Sequence, residues 1–242
     1  NMSVAFHSDA GCYPTDKLVG TFMFYTITGD DKETTYPAGG DRICNRDFAD
    51  YIQTQIVEDI RQTMVPNWQK RHLMQKSMSE TRNPKVPSTI IELLSHHNYY
   101  DMTFGLDPKF KFIVSRAIYK GMLRFIHQTT GTPYVVQPLP VQQMNVTYAN
   151  NDSLQIHWAE RVDSLEPTAT PSYYVLYTRT SQLKDGEWQT TDWDNGVMVK
   201  QNNATMAIQR GVKYDFMVRA GNNGGVSMPS EVMSAYIDPA YN

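Results

Sequence analysis

The spacing of apolar residues changes period along the chain and divides it. Two early runs, SVAFHS (3–8) and GTFMFYT (20–26), are short and rich in aromatic and β-branched residues, so they predict strands. Residues 27–45, ITGDDKETTYPAGGDRICN, are dense in Gly, Asp and Pro and read as a long loop. Phe48, Tyr51, Ile52, Ile56, Ile60 and Met64 then recur at steps of three and four, which predicts an amphipathic helix over 45–64 that Pro66 stops. A polar stretch leads to the strand-like STIIELL (88–94). Phe110, Ile113, Val114, Ala117, Ile118, Gly121, Met122 and Phe125 mark a second helix with Pro108 near its start. Strands alternating with helices predict an α/β domain, a mainly parallel sheet flanked by helices.

Residues 127–140, HQTTGTPYVVQPLP, interrupt this pattern with Gly131 and three prolines. Beyond them only the strand period remains. Leu154, Ile156 and Trp158 share one face of SLQIHWAE; Tyr173, Val175 and Tyr177 share one face of SYYVLYTR; Tyr214, Phe216, Val218 and Ala220 share one face of KYDFMVRA. Period-two alternation between turn signals predicts an antiparallel sandwich. The reading is therefore an α/β domain over residues 1–130, a linker over 131–137 and an all-β, immunoglobulin-like sandwich over 138–242.

Composition adds bounds. The chain has 242 residues, 40% hydrophobic and 19% charged, ordinary for a globular chain with a sizeable core. A net charge of −3 gives no basic field for nucleic acid. No apolar run reaches the roughly 18 residues a transmembrane helix needs. No signal peptide is visible, and the sequence opens directly on a strand, so it reads as an N-terminally incomplete domain. Cys12 and Cys44 can bridge a loop of about 30 residues in an oxidising compartment, worth about 3–4 kcal/mol; the alternative is two reduced thiols.

The candidate chemistry starts at Glu92, a carboxylate in the middle of the apolar run STIIELLSHHNYYD (88–101). Burying a lone carboxylate is costly, so such a group is paired, protonated or in use. His7 ends the first strand, and ligands of open α/β sheets gather at the carboxyl ends of strands. An imidazole and a carboxylate meeting there suit a metal-bound water and its base. The plain alternative is a hydrogen-bonded structural histidine and a glutamate at the solvent edge.

Two resemblances sharpen this. Tyr214, Phe216, Val218, Ala220, Asn222, Gly225, Ser227, Pro229 and Ser230, with Trp158 and the strand of Tyr173, Val175 and Tyr177, follow the pattern of fibronectin type III domains. In that family Tyr214 is the corner tyrosine whose hydroxyl bonds back to the chain. The first half resembles zinc-dependent N-acetylmuramoyl-L-alanine amidases of the amidase_3 type. AFHSDA supplies His7; GTFMFY supplies Gly20 and Tyr25; PSTIIELLSHHNYYD supplies Pro87, Glu92, Leu93, Asn98 and Asp101; VSRAIYKGM supplies Ala117, Ile118 and Gly121.

The amidase resemblance implies a peptidoglycan hydrolase that cuts the amide between N-acetylmuramic acid and L-alanine with a zinc-activated water. It makes Glu92 the catalytic carboxylate and His7 a zinc ligand. The remaining ligands are expected upstream of residue 1, so an upstream fragment of the same protein is an expected partner beside peptidoglycan or a related glycan. Ser8, Asp9, Leu94, Ser95, His96 and Asn98 are expected to line the site. Leu94-Ser95 replaces the family's Gly-Phe, Asp9 replaces its Asn, and His96 and His97 stand at positions that are not family ligands. The substrate implies an exported, periplasmic or cell-surface protein. Two alternatives remain: a non-catalytic amidase-like glycan- or peptidoglycan-binding protein, and another polysaccharide-acting enzyme such as a lyase using His96, His97, Tyr99 or Tyr100.

Overall fold

The helix-period and strand-period stretches separate into two units in the computed structural model, Asn1–Pro133 and Tyr134–Asn242. The structure describes residues 1–10, 13–150 and 152–240. The first unit contains, in chain order, β1 (Ser3–Asp9), β2 (Thr21–Tyr25), α1 (Cys44–Thr63), β3 (Lys70–Gln75), the short α2 (Ser79–Arg82), β4 (Ser88–Ser95), α3 (Tyr99–Gly105) and α4 (Pro108–Thr130). Its sheet has the order β1-β4-β2-β3. β1 runs parallel to β4, and β2 parallel to β3, but β2 and β4 pair antiparallel. Two of the three pairings are thus parallel, as a mainly parallel sheet requires, and the antiparallel β2–β4 pairing, which was not expected, makes the sheet mixed. Strand direction depends on where each connection lands the chain, which apolar period does not encode.

Apolar spacing decides which sheet face is covered. Ile91 and Leu93 of β4 and Met23 of β2 share one core with Phe48, Ile52, Ile56 and Ile60 of α1 and Phe110, Ile113, Val114 and Ala117 of α4. Each fully buried Phe or Ile contributes about 1.5–3 kcal/mol relative to exposure. Glu92, between Ile91 and Leu93, falls on the opposite face, because side chains alternate along a strand. The two long helices approach closely: a Cβ on Gly121 would lie 2.7 Å from Ile52 Cα. Lys120 and Asp59 form a buried ion pair between α4 and α1, with Nζ to Oδ2 at 2.7 Å. Helix α4 starts where the Asp107 carboxylate accepts from the Lys109 N–H (2.7 Å) with Pro108 in the first turn, and ends at Gly131 in the left-handed region, φ +72°. No helix among the described residues is long and apolar enough to cross a membrane.

The second unit contains β5 (Gln142–Asn150), β6 (Ser153–Ala159), β7 (Tyr173–Lys184), β8 (Glu187–Thr190), β9 (Val197–Val199), β10 (Asn203–Ala207), β11 (Val212–Asn222), β12 (Gly225–Val226) and β13 (Met233–Tyr236). One sheet is β10-β6-β5; the other is β12-β11-β7-β8, with β13 on β11 and β9 on β7. Every pairing is antiparallel. Leu154, Ile156, Trp158, Tyr174, Leu176, Phe216 and Val218 fill the core. The Tyr214 hydroxyl accepts from the Gln209 N–H at 3.0 Å, the bond a corner tyrosine makes. Tyr134–Gln137, expected in the linker, belong to this unit: Val136 is buried and its carbonyl accepts from Asn222 Nδ2 at 2.9 Å. Trp193 lies beneath the Arg179 guanidinium (4.7 Å), which also holds Asp215 at 2.9 Å.

Candidate functional site

Strand register brings the two sequence candidates together. His7 of β1 is the parallel partner of Glu92 of β4, so the two side chains emerge side by side on the face away from α1 and α4. On the other flank Glu92 is paired with Phe22 of β2. The Arg71 guanidinium lies over the Phe22 ring at 4.8 Å and binds Asp9 at 2.6 Å. Burial pushes the Glu92 pKa above the usual 4.5 and the Asp9 charge adds to this, while His7, Arg71 and His96 pull the other way. Glu92 Oε2 is buried and has no hydrogen-bond partner among the described residues. A carboxylate with one oxygen withheld from water and from donors binds a proton more readily than a solvated one.

Glu80 is the member of this group that sequence reasoning missed. Its Oε1 lies 3.8 Å from His7 Nε2, and both side chains are partly exposed. The Ser79 hydroxyl donates to it at 2.7 Å and, with its own backbone N–H and nearby His7, holds its carboxyl below the usual range. Nothing in SMSETRNPK marks this residue, because α2 is only four residues long and carries no apolar stripe. Arg71 was missed for the same reason: a basic residue in the polar KRHLMQ stretch acquires its role only through Asp9.

The remaining candidates divide. Ser8, Leu94 and His96, with His7, line a cavity of about 730 Å3 beside β1, whose apolar wall also includes Phe6, Leu93, Met102, Phe110 and Val114. Ser8 Oγ is 2.9 Å from His96 Nδ1. Asp9 turns instead to Arg71. Ser95 and Asn98 are fully buried and serve the backbone. The Asn98 side chain caps α3 by accepting from the Asp101 N–H (2.6 Å) and donates to the Lys17 carbonyl. Asp101, also fully buried, accepts from the Val19 and Ser95 N–H groups at 3.1 and 3.0 Å. The Asn98-x-x-Asp101 spacing therefore ties the start of β2 to the end of β4, which is a positioning task rather than contact with a ligand. The expected bridge from Cys44 leads to Cys12, which lies outside the described residues; burial, then Asp41 and Asp47, push the Cys44 thiol pKa up.

A catalytic zinc ion takes three protein ligands. Among the described residues no group of three His, Cys, Asp or Glu side chains is arranged to hold a metal ion. These residues do not by themselves fit a zinc centre; they bring His7 together with Glu80 and Glu92.

No protein-family model and no curated protein matches the chain. Solved structures similar to it include the N-acetylmuramoyl-L-alanine amidase from Clostridium difficile 630, 15% identical, covering 53% of this chain and 59% of that one with a TM-score of 0.41. They also include titin kinase and its flanking domains (19% identity, 43% of this chain, 18% of that one, TM-score 0.32). A third is the FN3tt mut structure (18% identity, 42% of this chain, 97% of that one, TM-score 0.29). The chain spans less than two thirds of the length of the amidase and of the titin kinase structure. The likeness to an amidase covers about half of the chain and is coarse.

Proposed function

We propose that the first unit belongs to a peptidoglycan hydrolase acting on the amide between N-acetylmuramic acid and L-alanine at the cell envelope, with Glu92 as its proton carrier. The observation that carries this reading is the Glu92 environment: a carboxylate of raised pKa with one buried, unbonded oxygen, set beside His7 by strand register. An ionised Glu92 takes a proton from the attacking water and gives it to the departing nitrogen, the two transfers amide hydrolysis requires. Zinc enters the proposal through the sequence resemblance, with His7 as the ligand this chain offers; the two proton transfers are assigned without it.

Purified sacculi supply the test. The protein should release stem peptides with free L-alanine amino termini, and Glu92→Gln should lower that release by about 100-fold or more, the usual contribution of a positioned acid–base group. Undiminished release by Glu92→Gln contradicts the assignment. A second reading, an amidase-like binder that does not cut, is favoured by the lack of a three-ligand group among the described residues. It predicts that the protein sediments with sacculi and releases no peptide.

A further inference from the structure

Two side chains that the Glu92 chemistry leaves unused meet on the wall of the cavity beside β1. Ser8 Oγ and His96 Nδ1 come within 2.9 Å although 88 residues separate them. Three features hold the pair. Ser8 stands opposite a bulge on β4, where Leu93 and Leu94 fill the interval that Ser8 alone fills between His7 and Asp9; bulges are over-represented next to active sites. The His96 N–H donates to the Asp9 carbonyl at 3.1 Å, so the loop bearing the imidazole is tied to the residue that follows the serine. The His97 ring packs edge-on against His96 with centroids 4.7 Å apart, which restricts the imidazole. The pair stands where the parallel strands β1 and β4 end, the end of an α/β sheet at which ligands gather.

A serine hydroxyl is a poor nucleophile until a base within hydrogen-bond reach takes its proton. The geometry points to a second activity, independent of the amide-cleaving reading: hydrolysis of carboxylic esters of an apolar acid, with Ser8 as nucleophile and His96 as its base. Ser8 Oγ bonds to the ester carbonyl carbon while its proton passes to His96 Nδ1. The carbon–oxygen bond to the alcohol then breaks, and the alcohol leaves with that proton. Water repeats the sequence: it gives a proton to His96, its oxygen bonds to the acyl carbon, and the acid departs as Ser8 Oγ recovers the proton. Nδ1 must be bare at the start, so the neutral ring carries its hydrogen on Nε2. The acyl group is apolar because Phe6, Leu93, Met102, Phe110 and Val114 line the same cavity as these polar atoms, with Lys111 and Ser115 among its polar residues.

A structural serine–histidine hydrogen bond has the same length and no such reactivity, and a covalent probe separates the two. The folded chain is treated with an alkyl fluorophosphonate, and separately assayed with p-nitrophenyl butyrate. One phosphonyl group per chain is expected, on the tryptic peptide that ends at Lys17, and none on the heat-unfolded chain. Ester turnover should fall by about 100-fold or more in Ser8→Ala and in His96→Ala. A folded chain that takes no adduct on Ser8, or turnover that either folded variant leaves unchanged, overturns the proposal. The adduct is read on the unaltered chain, so a variant that misfolds leaves the outcome decided. Adduct formation involves no amide cleavage, so loss of either activity is read without the other.

Discussion

Glu92 is a carboxylate placed against its own preference. Its strand neighbours bury it, Asp9 adds negative charge, and its Oε2 has no donor among the described residues. The consequence for stability follows from linkage. With the folded pKa above 4.5, the folded chain binds this proton more tightly than the unfolded chain. The stability this proton confers is complete below 4.5 and is lost as pH rises through the folded pKa. Glu92→Gln, which is neutral throughout, should therefore melt above the parent at about pH 7, and the gap should close at about pH 4. Calorimetry at the two pH values measures it; a gap of equal size at both refutes the burial account. Under the proposed assignment of Glu92 as base, amide hydrolysis should also rise with pH through the same raised pKa. Of the residues around it, Glu92 and His7 were legible because each is an anomaly in its own run. Glu80 and Arg71 were not, because a charged residue in a polar loop or edge strand looks the same whether or not it serves a site. Asn98 was legible as part of a pattern but misread as lining: spacing reveals that a residue is specified, and only burial reveals that the specification is structural.

At the scale of elements, the α1–α4 crossing fixes where β4 lies. Gly121 sits where a Cβ would meet Ile52 Cα at 2.7 Å and Ile52 N at 3.1 Å, both backbone atoms that cannot rotate away. Gly121→Ala should destabilise the first unit by about 1–3 kcal/mol despite the better helix propensity of alanine. Urea unfolding reads this directly, and a stabilised variant would sink the close-packing argument. Both long helices were legible from their apolar period; α1 falls within one residue of the expected 45–64 at each end, while α4 runs on to Thr130, past the last apolar marker Phe125 and into residues read as a break. The antiparallel β2–β4 pairing was not legible, since a strand buried on both sides reads the same in either direction.

At the scale of the whole molecule, the change from helix period to strand period marked two units, and the divide falls between Pro133 and Tyr134. Each unit has its own core. The fragment 134–242 should accordingly unfold alone in a single cooperative transition, and removing the corner bond by Tyr214→Phe should lower its stability by about 0.5–1.5 kcal/mol. A sloping, non-cooperative melt of the fragment would show that its core does not suffice. The same fragment begun at residue 138 should be weaker, because Val136 and the bond from Asn222 to its carbonyl would be missing.

The sequence by itself determined the two long helices and the strands with strong apolar alternation, where the period changes, and that Glu92 and His7 are out of keeping with their surroundings. These are local properties, set by side-chain spacing along one element. The tertiary structure decided strand order, the mixed sheet, the face on which Glu92 stands, and the meetings of His7 with Glu80, Asp9 with Arg71 and Ser8 with His96. Those contacts join residues that in most cases are tens of positions apart in the chain, and no local period carries the information of which distant strand or loop will lie alongside.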